Sequence, residues 1–435
     1  MKKYYADYIL TSAHSSRSFP VFLKDGEFTV DEISGRVLGI KSRPSFKTTR
    51  NGNSKKKENK RLIIPGFINA HAHTDLTFNH NTETPHIFSK WVLSLIEKRK
   101  NLTAGEKIGL RVKAFKSFIK SGITTVSDII DPASFYDIKD IKAHTGFAPR
   151  IKGFIELRGL DPACAVQKIE EFKTFLQKSS FDSTGISPHS IYSVSENLFE
   201  EILKLNEKLK LKIAVHAAEH SSETDFIKGK GGDIAENLLP ALMLSKFSRP
   251  PVCFRSPVFY LDYLKVLGAG TSLIHANEID EEDIDIIKQN GADIIHCPRS
   301  NAFFNSRKLP LKKILEKGIQ VSIGTDGLFS NESLSILDEL KYAGKIHPEI
   351  PPSNLLAAAT VGGAKALSIS GVTGTIEPDS FADFIVFRID KNVILNEENI
   401  YDLVISLKET DIMSVAIGGN IVYDSRACGF YANNL

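Results

Sequence analysis

From residue 62 to about residue 325, short apolar runs rich in Ile and Val alternate with longer helical stretches. That alternation is the strongest constraint on the fold. Eight runs read as strands: Leu62–Ala70, Ile123–Ile130, Ile151–Leu157, Gly185–Ser187, Leu211–His216, Thr271–His275, Ala292–Cys297 and Ile319–Thr325. Near-continuous apolar strands indicate burial on both faces, as in a parallel sheet. Eight such strands interleaved with helices meet the requirement of a (β/α)8 barrel of the TIM type, an α/β fold. One helix marks its own ends. Thr103-Ala104-Gly105-Glu106 is a capping box, the helix is predicted to run to about Lys120, and Ser121-Gly122 ends it.

A barrel of roughly 250 residues leaves much of a 435-residue chain over. The first sixty residues alternate short β-type runs with turns, and the pattern returns after about residue 370, where Gly419-Asn420 reads as the turn of a hairpin between Met413–Ile417 and Ile421–Tyr423. The economical organisation is a small β-sandwich domain built from both chain ends, residues 1–61 and 370–435, around a barrel over 62–369. Arg50–Arg61 is polar and basic without apolar periodicity, and reads as a solvated loop; with no aromatic interleaved, a nucleic-acid patch is the weaker alternative.

Charge narrows the function. Lys plus Arg number 55 against 52 Asp plus Glu, a net +3 that gives no warrant for nucleic-acid or polybasic membrane binding. No stretch approaches the ~18 consecutive apolar residues of a membrane span. Asp7 interrupts the short apolar stretch after Met1-Lys2-Lys3, which makes a poor secretion signal and a better first strand. Cys164, Cys253, Cys297 and Cys428 are scattered without a CxxC pair, and read as free thiols in a reducing cytoplasm.

Histidine placement points to chemistry. Pro65–His73 ends the first strand in H-x-H, and residues i and i+2 of a strand share a face, so His71 and His73 can grip one cation at the barrel mouth. His216 closes the fifth strand and Asp326 the eighth. Three imidazoles and a carboxylate suit one Zn²⁺ or Fe²⁺ with a position left for water. Glu219 lies just past the fifth strand and His275 ends the sixth, placed to act on a substrate; a solvent-facing loop acid and a hydrogen-bonded core histidine are the alternatives. Cys297 reads as a buried thiol, and His80, His86, His144 and His347 as surface or loop residues.

These segments resemble the amidohydrolase superfamily, in its branch of aminohydrolases acting on purines, pyrimidines and triazines. The matching motifs are Pro65–His73, Ser187–Ser193, His216-Ala217-Ala218-Glu219, His275, His296–Asn301 and Gly324-Thr325-Asp326. Binuclear members bridge two metals through a lysine on the fourth strand. Gly185–Ser193 has none, and Lys212 would lie at the wrong depth, so the resemblance implies one divalent ion on His71, His73, His216 and Asp326. It further implies that the ion acidifies a bound water, that His275 and Asp326 take the water's proton, and that Glu219 protonates the ring nitrogen beside the attacked carbon. An amino-substituted N-heterocycle would then lose ammonia.

The resemblance offers His189 as a substrate contact, with a packed histidine at the barrel rim as the alternative. Trp91, the only tryptophan, sits on a predicted helix with Leu95 and Lys98 on one face, and could stack on a heterocycle or simply pack that helix. The spacing Phe88, Trp91, Leu95, Arg99, with Cys297–Asn301, resembles aminodeoxyfutalosine deaminases, whose benzoate-bearing substrate asks for an arginine clamp. Arg158 and Arg299 occupy suitable loops, or are surface ion-pair partners. Methylthioadenosine, adenosylhomocysteine and guanine deaminases and triazine hydrolases share the metal set and stay open, as does a homodimer. A non-catalytic scaffold of the same fold is the alternative of another class. Thiol titration of the chain denatured without reductant should count all four cysteines; a count of two would mean a disulfide.

Overall fold

The structure, a computed structural model, describes residues 1–13, 21–43, 59–78, 87–247, 252–427 and 429–430. The basic run Arg50–Arg61 up to position 58, His80, His86 and Cys428 lie outside these. Strands β1 (Lys2–Leu10), β2 (Phe22–Val30), β3 (Val37–Ser42) and β4 (Asn59–Pro65) open the chain. The barrel follows as β5 (Phe67–Ala72), β6 (Ile123–Ile130), β7 (Arg150–Leu157), β8 (Ser183–Pro188), β9 (Ile213–Ala217), β10 (Thr271–His275), β11 (Asp293–His296) and β12 (Val321–Ile323). Then come β13 (Phe384–Asp390), β14 (Ile412–Ile417), β15 (Asn420–Asp424) and β16 (Gly429–Phe430).

Strands β5 to β12 form one sheet in sequence order, paired in parallel throughout. A parallel bridge between Ala72 and Asp326 brings its two edges together. Inside, Ile68, Ala70, Ile129, Phe154, Ala214, Ile274, Ile295 and Cys297 make one apolar cluster, and Cys297 is a fully buried free thiol. The outward side chains pack on the helices, including α2 (Ala104–Lys120), whereas α1 (Phe88–Lys100) lies against the segment Ile234–Leu238. The Thr103/Glu106 capping box opens α2 as the sequence indicates, and Gly122 leaves it at φ +89°.

The remaining strands form a second sheet from both chain ends, ordered β16-β15-β14-β13-β4-β1-β2-β3. Seven antiparallel pairs from Asn59↔Asp390 to Pro65↔Phe384 join the ends. The sheet folds over a core of its own, with Ile9, Phe28, Val37, Ile63, Phe384 and Ala416 at its centre. The β14–β15 hairpin turns on Gly418-Gly419, both at positive φ, because Ile417 pairs with Asn420; the turn is one residue earlier than Gly419-Asn420.

The run Leu62–Ala70 is two strands rather than one. β4 belongs to the terminal sheet and β5 to the barrel, and the chain changes sheets at Gly66. Both halves are buried, so apolar periodicity cannot show the break. Gly66 donates its N–H to the Asp383 carbonyl (2.9 Å), while Phe67 donates to the Gly122 carbonyl (3.0 Å). A Cβ on Gly66 would lie 2.1 Å from Thr124 Oγ1, so no larger residue passes here without displacing β6. Gly66→Ala should therefore cost about 1–3 kcal/mol by overpacking, read as a lower urea midpoint. An unchanged midpoint would show that the crossing has slack.

Candidate active site

A bulge aims the first two histidines. Asn69 pairs with Val126 but Ala72 with Asp128, so β5 carries one extra residue there. Ile68 and Ala70 join the barrel's interior cluster, and His71, within the bulge, and His73, just after it, stand together with ring centroids 4.9 Å apart. His71, His73 and His216 offer ring nitrogens that all lie within 4.8 Å of one another. The Nε2 atoms of His73 and His216 face each other at 3.3 Å. Asp326 Oδ1 lies 3.4 Å from His71 Nε2 and 3.7 Å from His73 Nε2. Both ring nitrogens of His71 and Nδ1 of His73 are buried without a hydrogen-bond partner. Converging basic nitrogens beside a carboxylate, buried and unpaired, fit a divalent cation.

Neighbours fix the orientation of this set. His216 Nδ1 donates to the His189 carbonyl (3.0 Å), which leaves Nε2 as the free lone pair. Asp326 Oδ2 accepts from the hydroxyls of Ser300 (2.7 Å) and Ser330 (2.5 Å), and Oδ1 is left to face the histidines. Ala218, His275, Ala276 and Asp326 all hold positive φ at the ends of β9, β10 and β12, a concentration of strained backbone at one rim.

Glu219 Oε1 lies 3.5 Å from His275 Nε2, and both residues are buried. Burial, with the Asp326 carboxylate nearby, pushes the Glu219 carboxyl up to about 8, so it is protonated at neutral pH. Burial lowers His275 below the usual imidazole range, which keeps it neutral. A neutral acid and a neutral base thus sit side by side. The Glu219 backbone N–H is anchored by the fully buried Glu223 carboxyl group (2.7 Å).

His73, His216, Glu219, His275 and Asp326 form the floor of a cavity of about 660 Å³. The face of α1 carrying Phe88, Trp91, Val92, Leu95, Ile96, Arg99 and Lys100 covers one side. Lys98 is not on it; its ammonium lies 4.8 Å from the centre of the Phe329 ring. Trp91 lines the cavity while packing on Phe304 and Phe329 and donating Nε1–H to the Phe329 carbonyl (3.2 Å), so contact and packing coincide. His189 lines it too, with Nδ1 held by the Ser193 and Ser190 hydroxyls at 2.7 and 3.0 Å. Arg158 stands at the edge, paired with Glu156 and, at 3.4 Å, with Asp131.

Arg299 departs from the expectation that it meets substrate. It does not line the cavity, because Asn331 (3.0 Å), Glu332 (3.4 Å) and Glu339 (3.8 Å) draw its guanidinium away. His347 is fully buried instead of surface-exposed, with its ring centroid 5.6 Å from that of His296. His144 is exposed. Lys212 is tied to Asp293 at 2.6 Å and does not line the cavity.

Two contributors carried no assignment from the sequence. Arg99 lines the cavity while Asp75 (2.5 Å) and Asp131 (3.2 Å) hold it; its spacing from Phe88, Trp91 and Leu95 on one helix face was the available signal. Leu238, Leu239, Leu242 and Leu244 build an apolar wall from the π-helical turn Ile234–Leu238 and the residues after it, a run that has no motif.

Residues 62–422 match the amidohydrolase family. Among curated relatives, the 5'-deoxyadenosine deaminase of Methanopyrus kandleri is 27% identical over 417 residues, covering 92% of this chain and 90% of that protein. A 5-methylthioadenosine/S-adenosylhomocysteine deaminase of Acetivibrio thermocellus is 27% identical over 426 residues, covering 91% of each. The fold resembles that of Helicobacter pylori aminofutalosine deaminase, with a TM-score of 0.75 at 22% identity over 97% of this chain and 100% of that one.

The geometry predicts about one transition-metal ion per chain by elemental analysis, and loss of that ion in His73→Ala. Two tightly held ions would contradict the single-cation reading.

Proposed function

The chain belongs to the amidohydrolase family, and on that premise we propose that it is a metal-dependent aminohydrolase that deaminates an amino-substituted N-heterocycle of the 6-aminopurine nucleoside type. The observation that carries this reading is the buried pair Glu219 and His275, 3.5 Å apart and in surroundings that favour the neutral form of each, set beside the histidine–aspartate cluster under a largely apolar cavity. We assign His71, His73, His216 and Asp326 as ligands of one divalent ion, Zn²⁺ in preference to Fe²⁺. Such an ion supplies the acidity that lets water act as a nucleophile near neutral pH.

The chain's own groups then divide the proton traffic. Protonated Glu219 donates to the ring nitrogen beside the amine-bearing carbon and makes that carbon electrophilic. His275 Nε2 and Asp326 orient the water and take its proton as the new C–O bond forms. The amine, protonated in turn, leaves as ammonia, and C–NH₂ becomes C=O. His189 and Trp91 hold the heterocycle, and the wall of Leu238, Leu239, Leu242 and Leu244 excludes water and accommodates an apolar substituent. Arg158, at the cavity edge, is placed for an anionic tail such as a carboxylate, which keeps aminodeoxyfutalosine among the candidate substrates. The relatives named above act, by their names, on adenosine derivatives altered at the 5' end, which supports the same class. We also infer a cytoplasmic setting, supported by the free thiols of Cys164, Cys253 and Cys297. No helix among the described residues is long and apolar enough to cross a membrane.

The reading is tested by ammonia release across 5'-deoxyadenosine, methylthioadenosine, adenosylhomocysteine and aminodeoxyfutalosine, with guanine and aminotriazines alongside. Turnover of the nucleosides is expected; turnover confined to guanine or triazines would move the protein to another branch. Glu219→Gln should keep the metal and lose at least ~10²-fold in kcat. Because the protonated form of Glu219 is the active one, kcat/KM should fall as pH rises through about 8, and an unchanged alkaline limb in that variant would remove Glu219 from the acid's role.

A further inference from the structure

The short helix Pro298–Phe303 follows β11, and two consecutive residues on it reach the two groups that flank the attacking water in the reading above. Ser300 bonds to Asp326, as described. Asn301 Oδ1 lies 2.8 Å from His275 Nδ1. The Asn301 amide has no freedom to turn over. Its Nδ2 donates to Asn277 Oδ1 (2.8 Å) and approaches His296 Nδ1 (3.3 Å). Asn277 in turn spends its own Nδ2 toward the Glu219 carbonyl (3.5 Å) and so presents an oxygen to Asn301. With the Asn277 oxygen accepting from Nδ2, the Asn301 oxygen is left for His275. Asn277, His296 and Asn301 are all buried, so water does not substitute for these partners.

We infer that Asn301 is a positioning residue, whose side-chain oxygen holds His275 in the Nδ1-protonated tautomer and leaves the Nε2 lone pair facing Glu219 and the reacting water. A histidine's working nitrogen is set by the hydrogen bond that the other nitrogen makes. With the opposite tautomer, Nε2 would carry a proton and could not accept one from water, although every ring stayed in place. The inference rests on the aminohydrolase reading for its catalytic meaning, but the tautomer itself is a property of the resting protein.

The test uses zinc-loaded full-length protein with ¹⁵N-labelled histidine, the His275 signals being assigned by their loss in His275→Gln. Wild type should show a protonated Nδ1 and a bare Nε2. Asn301→Leu, which keeps the bulk and removes the acceptor, should lose that preference and drop kcat by about 10²-fold, with KM and zinc content unchanged. Asn301→Asp, which keeps an acceptor, should retain the tautomer and restore kcat to within about tenfold of wild type. A purely structural role would instead move KM, zinc content and thermal stability together. Protonated Nε2 in wild type overturns the inference whatever the variants do, as does an Asn301→Leu protein that keeps both tautomer and kcat. If Asn301→Leu does not fold, the wild-type tautomer and Asn301→Asp decide. A wild type with the expected tautomer that releases no ammonia from any aminopurine would sink the deaminase reading and leave this one standing.

Discussion

One carbonyl ties the fold to the site. The His71 oxygen accepts the backbone N–H groups of Thr325 (3.0 Å) and Asp326 (3.1 Å), and these bonds bring the last barrel strand against the first. The same contact sets the Asp326 carboxylate beside His71 and His73. Gly324 makes it possible, since a Cβ there would lie 2.8 Å from His71 Cβ. Barrel closure and assembly of the cation site are thus one event. A chain that fails to bring β12 to β5 loses both.

The surroundings of this seam are arranged to keep it rigid. Arg111, on α2, is fully buried, with donors to Thr74 Oγ1 (2.7 Å) and the Ser134 carbonyl (2.6 Å), and lies 3.8 Å from both Asp75 and Asp128. Arg99 adds a second cation on Asp75. Asp128 also accepts from the Thr74 N–H (3.0 Å) and hydroxyl (2.7 Å), directly after His73 in the chain. Buried charges of this kind are costly alone, and partnered they fix a single geometry. Here they hold the loop that follows the first two histidines.

Much of this was legible in the sequence because each feature obeys a local rule. Strand ends carrying His216, His275 and Asp326 follow from apolar runs that stop at a polar residue, and the α2 capping box is a four-residue signal. What stayed hidden depends on contacts distant in the chain. The change of sheet at Gly66 is invisible because β4 and β5 are equally buried. The bulge between Asn69 and Ala72, which contains His71, leaves no compositional trace. Arg299 follows a strand end, as the other site residues do, yet Asn331 and Glu339 turn it away. The leucine wall comes from an irregular segment whose apolar residues read as ordinary core.

The central claim is that four side chains from three strand ends converge on one cation, and anomalous diffraction from crystals of the zinc-loaded protein tests it most directly. The account predicts a single peak within ~2.0–2.2 Å of ligand atoms from His71, His73, His216 and Asp326. Glu156, His189 and His216 offer a competing set of ligand atoms within 4.8 Å of one another. A peak there, or a second peak beside the first, would contradict the account.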